Sequence, residues 1–347
     1  MNDTKRCDII IPIWNQLEET RACIDSIKKN TDPCYRLILV DNASGRETAQ
    51  YLENCSNSML DCEVTLLKNG ENLGFIKAVN RGISVSQAPY VCVLNNDTIV
   101  LKGWLKEAIN VFQRDAHIGI VNPSSNSLGQ PMPHDPSSDK YLKDVESQSG
   151  KFVDLGSAFG FCMLIRRTIF EEIGLFDETY GMGYFEDTDF SLRAKAKGYR
   201  AVRSFASYVY HKESRSFSML GNFKRDFEKN KMVFESKWGA TRRLMFVFDS
   251  ANNKMVSTLN NILKKYARAG YWVYVVSPRF DTKVFFERYS NLTFYHADHL
   301  LSVFVLYKVL FKKKRADLIY VDNSFILKVL KLFKICHGAE IKQIEEI

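Results

Sequence analysis

Short apolar runs alternate with segments of helical spacing along the first hundred residues of the chain. Each run is rich in β-branched residues and leads into polar residues, which is typical of a buried strand. The segments 16–31, 45–55 and 74–86 place apolar residues near a 3.6-residue repeat, as amphipathic helices do. This alternation with short links predicts a Rossmann-like, mostly parallel α/β sheet with helices on both faces. The runs are "CDIIIPIW", "YRLILVDNAS", "CEVTLLKNG" and "APYVCVLNND".

Three of the predicted strands lead into residues that can bind a ligand. These are Trp14 and Asn15, Asp41 and Asn42, and Asn95, Asn96 and Asp97. In parallel α/β sheets, ligands bind outside the carboxyl ends of the strands. We therefore expect the three sets to lie along one edge of the sheet and to line a cleft.

The rest of the chain predicts further elements and a boundary. Residues 122–150 are rich in Ser, Pro, Asp and Gly, which predicts a long mobile loop of the kind that covers active sites. Residues 219–242 look helical, and a new strand–helix–strand pattern begins after Arg242. We therefore expect two domains, residues 1–242 and residues 243–347.

Composition narrows the class of protein. With 46% hydrophobic and 25% charged residues, the chain is typical of a soluble globular protein. It has no uncharged apolar stretch of about 18 residues, so no transmembrane helix is expected. The N-terminal apolar run is too short for a signal peptide, which makes the cytoplasm the expected location. The eight cysteines show no metal-binding spacing, and we interpret them as reduced structural thiols.

The net charge of +8 is carried by the end of the chain. Residues 243–347 contain 17 Lys and Arg against 9 Asp and Glu, whereas residues 1–242 are balanced. Segments 299–318, with Lys308 and Lys312 to Arg315, and 325–337 mix apolar and basic residues. Such segments can lie on anionic membranes, and ordinary helices with a solvated basic face are the alternative. Nucleic-acid binding is not expected, because the arginines and aromatic residues form no recognised motif.

The triplet Asn95-Asn96-Asp97 offers one carboxylate at a strand end. Hard divalent cations take oxygen ligands, and Mg²⁺ is commonly held by one or two carboxylates together with phosphate oxygens. A cation bound there would act as a Lewis acid and stabilise negative charge on a departing phosphate. The alternative is that the triplet only caps the strand.

Two further groups of titratable residues are candidates for chemistry. Glu186, Asp187 and Asp189 lie within four residues in "FEDTDF", and crowded carboxylates raise one another's pKa, which suits a general base. We expect Asp189 to cap the helix that follows, and the alternative is that all three acids only cap it. His211, in "VYHKESRSF", can complete a metal site or, when protonated, stabilise a phosphate, although a lone histidine is usually structural.

Seven segments, in their order along the first 240 residues, together resemble family 2 glycosyltransferases of the GT-A fold. Each segment alone is unspecific, and their common order carries the resemblance. The segments are "IIIPIWN", "LVDNASGRET", "NGENLGFIKAVNRGI", "VLNNDT", "GFCMLIRRTIFEEIGLFDE", "YFEDTDFSLRAKAKGYR" and "VYHKESRSF".

The resemblance implies a nucleotide-sugar site along the cleft. The last Asp of the family's Asp-x-Asp motif binds Mn²⁺ or Mg²⁺, which assigns the metal to Asp97, with His211 as a second ligand or a partner of the leaving phosphate. Asn95 stands in place of the first Asp, which weakens direct metal contact there but allows a hydrogen bond to ribose. Asp41 is expected to accept the imide N–H of uracil or thymine. The other expected donor-binding residues are Pro12, Ile13, Trp14, Asn15, Asn42, Asn72, Gly74, Phe75, Lys77 and Asn96.

Some of these expectations have ordinary alternatives. Trp14 could simply pack in a core, and Lys77 could be a solvated helix lysine. Around Lys77, the segment "GENLGFIKAVNRG" supplies glycines for a close turn and a helix N-terminus suited to an anionic ligand.

The resemblance also implies an inverting mechanism, with Asp187 as the general base and Glu186 in contact with the acceptor. The expected donor is a UDP- or dTDP-sugar, and the expected acceptor is a glycan or lipid-linked glycan of cell-surface polysaccharide biosynthesis. The chain lacks the Gln-x-x-Arg-Trp motif of processive synthases, so a non-processive enzyme is expected.

Two other functional classes stay open at this point. A non-catalytic nucleotide-sugar-binding scaffold would keep the fold, although the intact "FEDTD" argues against it, and a nucleotidyltransferase would share the sheet and the metal. Residues 243–347 resemble the first half of a Rossmann-like domain of the GT-B type. They are either a truncated second transferase or an accessory domain. No feature of the sequence favours a particular oligomeric state.

Overall fold

The computed structural model describes residues 7–32, 34–57, 62–128, 130–136, 138–213, 223–240, 243–248, 262–263, 265–267, 271–278, 291–297, 301–311 and 315–344. The chain divides into two compact units. The first comprises Met1–Phe152 and Ser157–Lys237, and the second comprises Val153–Gly156 and Trp238–Ile347. The expected domain boundary was residue 242.

The elements of the first 240 residues follow the expected strand–helix alternation. The strands are β1 (Cys7–Ile13), β2 (Tyr35–Asp41), β3 (Glu63–Lys68), β4 (Tyr90–Leu94), β5 (Thr98–Val100), β6 (Ile118–Ser124), β7 (Phe152–Asp154), β8 (Cys162–Arg166) and β9 (Arg200–His211). The helices are α1 (Leu17–Asn30), α2 (Arg46–Asn57), α3 (Gly74–Ser84), α4 (Trp104–Phe112), α5 (Asp139–Ser147), α6 (Arg167–Ile173), α7 (Glu186–Ala196) and α8 (Phe223–Trp238).

The register of β1, β2 and β4 brings their carboxyl ends to one edge. Ile13 pairs with Asp41 across β1 and β2, and Ile10 pairs with Val93 across β1 and β4, all in parallel. β1 and β2 end at the same level and β4 ends two residues earlier, so the residues that follow the three strands are neighbours. The expectation of a shared edge is therefore confirmed.

The strand order of this sheet is β3-β2-β1-β4-β8-β6-β9-β5. β8 runs antiparallel to β4 and β6, and β5 runs antiparallel to β9, while the remaining neighbours on this path are parallel. The sheet is thus mixed and mostly parallel, as expected. Thr98 of β5 pairs with His211 at the end of β9, which brings Asp97 beside that histidine.

Helices cover both faces of the sheet. Ile9 and Ile11 of β1 belong to one hydrophobic cluster with Ile24 of α1. Ile10 lies on the other face, in a second cluster with Ile76 of α3. This follows from the alternation of side chains along a strand, and it explains why β1 is apolar at successive positions.

The expectation of a long loop over residues 122–150 is wrong in part. β6 continues to Ser124, a 3₁₀ turn spans Asn126–Leu128, and α5 occupies Asp139–Ser147. The Ser138 hydroxyl accepts a hydrogen bond from the Tyr141 N–H at 3.2 Å, a regular helix N-cap. Part of the serine-rich composition therefore reflects a cap rather than a loop. The helix expected over 219–242 is α8, and residues 219–222 and 241–242 lie outside the described ranges.

The second unit has a parallel sheet of its own, in the order β12-β11-β10-β13-β14. The first strand in the chain lies at its centre, as in Rossmann-like sheets, so the expected second α/β unit is confirmed. Among the described residues, no helix has the length and apolar character needed to cross a membrane. The described elements of the second unit are β10 (Arg243–Val247), β11 (Trp272–Ser277), β12 (Leu292–His296), α9 (Leu301–Phe311), β13 (Leu318–Val321), α10 (Ser324–Leu332), α11 (Lys334–His337) and β14 (Glu340–Gln343).

A buried ion pair fixes the amino end of β1. Asp8 is 1% exposed, and Arg36 donates to its two oxygens at 2.9 and 2.8 Å. The Ser86 hydroxyl and the N–H groups of Gln87 and Ala88 donate to Oδ2 at 2.7, 2.8 and 3.1 Å. Burial acts to raise the pKa of Asp8, but these hydrogen bonds outweigh it and lower the pKa below its ordinary 3.8.

We expect Asp8→Ala to reduce the free energy of unfolding by about 3 to 5 kcal/mol, because it leaves the Arg36 guanidinium, only 15% exposed, without its main partner. A group with a lowered pKa stabilises the fold above its unfolded pKa, so the deficit should shrink as the pH falls below about 4. Urea denaturation at several pH values measures both effects.

The matched control is Glu63→Ala, because Glu63 Oε1 lies 3.8 Å from the same guanidinium but is exposed. Glu63→Ala should reduce the free energy of unfolding by less than about 1 kcal/mol. Equal costs for the two variants would contradict the role given to Asp8.

Candidate active site

The side chain of Asn42 ties the end of β2 to the loop after β3. Its Nδ2 donates to Asn72 Oδ1 at 2.7 Å and to Gly74 O at 3.2 Å. Its Oδ1 accepts from Asn69 Nδ2 at 2.8 Å and from the Leu73 N–H at 3.0 Å. Asn42 and Asn72 therefore hold the loop that begins α3, and their contact with a donor stays a prediction.

The loops after β1 and β2 are joined where a nucleoside is expected. Asp41 is 5% exposed, and its Oδ1 accepts the Ser44 N–H at 2.9 Å. Ser44 Oγ accepts the Asn15 N–H at 2.9 Å, and Asn15 Oδ1 accepts the Gly45 N–H at 2.8 Å. Asn15 has a φ of 58°, in the left-handed region that Asn tolerates better than most residues.

The other residues expected near the nucleoside differ in exposure. Ile13 is 1% exposed and packs in the core, so only its backbone can meet a ligand. Pro12 and Trp14 are half-buried at the strand end, and Lys77 is exposed on α3. These three stay candidate donor contacts.

α3 begins in close contact with the segment that precedes the acid pair. Gly74 has a φ of +81°, and a Cβ there would lie 2.9 Å from Met182 Sδ and 3.1 Å from Met182 Cα. The Phe75 N–H donates to Met182 O at 3.4 Å. Glycine is required here because the backbone is left-handed and the two segments touch.

Asp97 and His211 form a candidate metal pair. Asp97 Oδ1 lies 3.2 Å from His211 Nε2. Adjacent ligands of an octahedral cation, each about 2.1 Å from the metal, are about 3 Å apart, so this separation fits two ligands of one Mg²⁺-type ion. The described residues contain no group of three or more His, Cys, Asp or Glu suited to a metal. The pair therefore fits a cation that takes its other ligands from phosphate and water.

Asn95 and Asn96 lie beside this pair with different environments. Asn96 Nδ2 donates to Thr20 Oγ1 at 3.0 Å, which ties the strand end to α1. The Asn95 Oδ1 is buried and has no hydrogen-bond partner among the described residues. Because an unpaired buried polar atom is costly, this oxygen is a good position for contact with a ligand.

The acid pair Glu186 and Asp187 lines a pocket of 210 Å³ that reaches Asn95. Asn95 Nδ2 also lies 3.5 Å from His211 Nε2. The acid pair and the metal pair therefore flank one cleft, with Asn95 between them. The pocket is lined by Phe75, Asn95, Gly160, Phe161, Tyr184, Phe185, Glu186 and Asp187.

Burial changes the protonation of the acid pair. Burial, and then the charge of Asp187, raise the pKa of Glu186 from its ordinary 4.5 to about 8. Burial also raises the pKa of Asp187, against hydrogen bonds from the N–H groups of Gly160 at 2.9 Å and Thr188 at 2.6 Å. Glu186 therefore keeps its proton up to about pH 8, and the raised pKa of Asp187 makes it a stronger base than an exposed aspartate.

A strained turn presents the acid pair to the pocket. Tyr184 and Phe185 have φ values of 76° and 72°, which residues other than glycine rarely adopt. α8 holds the turn, since Asn230 Nδ2 donates to the carbonyls of Tyr180 and Gly183, each at 2.6 Å. Two phenylalanine rings of α8 also pack on Phe185. Strain of this kind is typical of functional sites.

The expectation that Asp189 caps a helix is wrong. α7 begins directly after the turn, at Glu186, so Asp189 lies inside its first turn. Asp189 is fully buried, and it accepts hydrogen bonds from Arg193 Nε at 2.8 Å and from the Tyr180 hydroxyl at 3.3 Å. Its role is therefore to anchor the start of α7.

Sequence reasoning missed several residues that shape the site. A Cβ on Gly160 would lie 3.4 Å from Asp187 Oδ2, so glycine keeps this side of the pocket open. Phe161 stacks on the His211 ring with 5.3 Å between centroids. The signal available for both was a glycine directly before a buried strand in "GFCMLI". Asn126 and Ser127, which contact His211, lay in the stretch interpreted as a loop.

The chain is similar in sequence to a family model and to several known proteins. Residues 8–174 match the family model described as Glycosyl transferase family 2. The O-antigen biosynthesis protein RfbC of Myxococcus xanthus is 26% identical over 235 residues, which is 61% of this chain and 18% of that protein. The low-salt glycan biosynthesis hexosyltransferase Agl10 of Haloferax volcanii is 27% identical over 170 residues, 46% of this chain and 52% of that protein. The matches thus span about half of these relatives or less.

One solved structure shows the same fold. The mannosyltransferase PcManGT of Pyrobaculum calidifontis, in complex with GDP-Man and Mn²⁺, has a TM-score of 0.50 and 18% sequence identity. The match covers 64% of this chain and 61% of that one. At this level of identity, the similarity concerns the fold alone.

The raised pKa of Glu186 predicts a pH-dependent effect of Glu186→Gln. The unfolded carboxyl ionises near 4.5, whereas the folded one stays protonated up to about 8, so the wild type loses stability over this range. Glutamine does not titrate. The free energy of unfolding of the variant, relative to that of the wild type, should therefore increase as the pH rises, by at most about 1.4 kcal/mol per pH unit.

Melting temperatures of the two proteins between about pH 5 and pH 8 check this. Glu228→Gln, on the exposed side of α8, is the matched control. A constant difference between Glu186→Gln and the wild type over the whole range would contradict the assignment.

Proposed function

We propose that the chain is a metal-dependent, inverting glycosyltransferase, and the match of residues 8–174 to the family model described as Glycosyl transferase family 2 supports this proposal. Its donor is a nucleoside-diphosphate sugar, either a UDP- or a dTDP-sugar. Its acceptor is a hydroxyl of a glycan or lipid-linked glycan in cell-surface polysaccharide biosynthesis. The relatives named for O-antigen and glycan biosynthesis support the acceptor class.

One observation carries the proposal: the metal pair and the acid pair flank the same cleft. Asn95 lines the pocket of Glu186 and Asp187, and its amide also lies 3.5 Å from His211. An enzyme that transfers a sugar from an anionic leaving group to a hydroxyl nucleophile needs a cation site for the first and a base for the second in one cleft. The Mn²⁺ complex of the mannosyltransferase with the same fold supports the choice of cation.

Asp97 and His211 would hold Mn²⁺ or Mg²⁺, which supplies Lewis-acid stabilisation of the diphosphate. Asp41, Asn15 and Trp14 would bind the nucleoside at the ends of β1 and β2. Asn95 would hydrogen-bond the donor through its buried Oδ1. All of these groups lie at the ends of strands of one sheet or directly after them, so a rigid scaffold would position the donor.

Asp187 is the general base of the proposed reaction. Its ionised carboxylate takes the proton of the acceptor hydroxyl, whose oxygen forms a bond to the anomeric carbon. The bond from that carbon to the phosphate oxygen breaks, and its electron pair leaves with the nucleoside diphosphate. Attack on the face opposite the leaving group inverts the anomeric configuration.

Glu186 has a separate role in this scheme. With a pKa raised to about 8, it is protonated at neutral pH and can donate a hydrogen bond to the acceptor. Its Oε2 is buried without a hydrogen-bond partner among the described residues, which leaves it available to the substrate.

We expect Asp187→Asn to reduce sugar transfer by about 10²- to 10⁴-fold, because asparagine cannot accept the proton. Asp97→Asn should reduce it and raise the Mn²⁺ concentration needed for activity. The measurement is release of nucleoside diphosphate from a panel of UDP-, dTDP- and GDP-sugars with Mn²⁺ present. Asp139→Asn, on the exposed side of α5, is the matched control.

Binding of nucleotide sugar with no turnover of any donor, with or without glycan acceptors, would favour the alternative of a non-catalytic scaffold. Release of pyrophosphate from a nucleoside triphosphate would instead indicate a nucleotidyltransferase. Equal activity of Asp187→Asn and the wild type would exclude Asp187 as the base.

We also propose that α9, α10 and α11 of the second unit contact an anionic lipid surface. These helices expose large apolar side chains, which include Phe311 at 75%, Leu332 at 78% and Ile335 at 99%. They also carry Lys308, Lys328, Lys331 and Lys334, and none of their residues is acidic. An apolar surface with lysines alone complements an anionic bilayer. Lys312 to Lys314, part of the original expectation, lie outside the described residues.

Sedimentation with vesicles tests the lipid contact. The wild type should bind phosphatidylglycerol-containing vesicles and not phosphatidylcholine vesicles, and the double variant Leu332→Glu/Ile335→Glu should bind at least about 10-fold more weakly, since it loses apolar burial and adds repulsion. The control is Met232→Glu on α8, which is 65% exposed in the first unit. Equal binding by the double variant would refute the contact.

A further inference from the structure

His211 is held in one orientation by residues outside the metal and acid pairs. Asn126 Nδ2 donates to His211 O at 2.8 Å, and the His211 N–H donates to Asn126 Oδ1 at 2.9 Å. Phe161 stacks on the ring at an interplanar angle of 18°. With backbone and ring plane both fixed, Nδ1 lies towards Ser127 and Nε2 lies towards Asp97.

Ser127 connects the histidine ring to a carboxylate. Its Oγ lies 3.0 Å from His211 Nδ1 and donates to Glu213 Oε1 at 2.8 Å. A serine hydroxyl has one proton, and an ionised carboxylate can only accept. Because the proton of Ser127 goes to Glu213, Ser127 Oγ must accept from the ring, and Nδ1 of His211 carries the hydrogen.

The hydrogen on Nδ1 leaves the lone pair of the neutral imidazole on Nε2. One neighbour of Nε2 agrees with this tautomer: the Asn95 amide Nδ2, 3.5 Å away, is a donor. Asp97 Oδ1, 3.2 Å away, is itself an acceptor, so two acceptors face each other there, which suits a cation bound between them. Glu213 also adopts a φ of 55°, a conformation that persists where the surroundings determine it.

We propose that Ser127 and Glu213 are positioning residues, which hold His211 in the Nδ1–H tautomer so that Nε2 can bind the divalent cation. Partners of this kind typically change metal affinity by about 10- to 100-fold. The identity of the cation rests on the proposed function, whereas the tautomer does not.

The tautomer can be read directly from long-range ¹H–¹⁵N correlations of histidine-labelled protein at a pH where imidazole is neutral. The signals of His211 are assigned from their loss in His211→Asn. The wild type should show a protonated Nδ1 and an unprotonated Nε2. An Nε2–H tautomer in the wild type would overturn the proposal.

Substitutions at Ser127 and Glu213 should change the tautomer of His211. Glu213→Gln can donate to Ser127, which frees the serine proton for Nδ1 and favours Nε2–H. Ser127→Ala removes the acceptor and should give a mixture of tautomers. Ser127→Thr keeps the hydroxyl and should restore the wild-type pattern, while Ser147→Ala, on the exposed side of α5, is the matched control for a lost serine.

The second readout is the binding of Mn²⁺ alone. It is measured from the loss of the electron paramagnetic resonance signal of the free ion. Ser127→Ala and Glu213→Gln should bind at least about 10-fold more weakly than the wild type and Ser127→Thr. Unchanged affinity in both variants would overturn the proposal. A wild type that binds no Mn²⁺ would instead count against the metal-dependent function, so the two failures are distinguishable.

Discussion

The pairing of β5 with β9 is the contact on which the candidate active site depends. It places Thr98 opposite His211 and so brings Asp97, at the end of the β4–β5 turn, within 3.2 Å of the ring. The two residues are far apart in the sequence, and no local element could bring them together. The parallel strands β1, β2 and β4 bring the remaining candidate donor residues to the same edge. The sheet thus holds the candidate metal pair and the candidate nucleoside contacts on one rigid scaffold.

The acid pair shows how the fold sustains an unfavourable arrangement. Two adjacent carboxylates are taken out of water, and the turn before them holds Tyr184 and Phe185 in left-handed conformations. Both features oppose folding, and α8 offsets them through Asn230 and its phenylalanines. The consequence is chemical: Glu186 stays protonated at neutral pH and can donate, beside Asp187, whose raised pKa suits a base.

The sequence predicts the strand–helix order and the shared edge because a buried parallel sheet needs β-branched runs that end in polar residues. The proximity of Asp97 and His211 was expected from the family resemblance alone, since strand pairing between distant segments leaves no local pattern. Asp189 was misplaced because the two left-handed residues directly before α7 are Tyr184 and Phe185, whereas glycine is the usual sign of such a backbone. The link from His211 to Ser127 and Glu213 arises only from tertiary packing. The role of Asp187 as a base came from family resemblance rather than from any spacing rule.

The most direct test of the account is a crystal structure of the chain with Mn²⁺ and uridine diphosphate. Anomalous scattering from manganese locates the cation without reference to any assumed ligand. The account predicts one manganese in contact with Asp97 Oδ1, His211 Nε2 and the diphosphate, and the uracil beside Asp41. A nucleotide bound away from the carboxyl ends of β1, β2 and β4, or a manganese that contacts neither Asp97 nor His211, would contradict it.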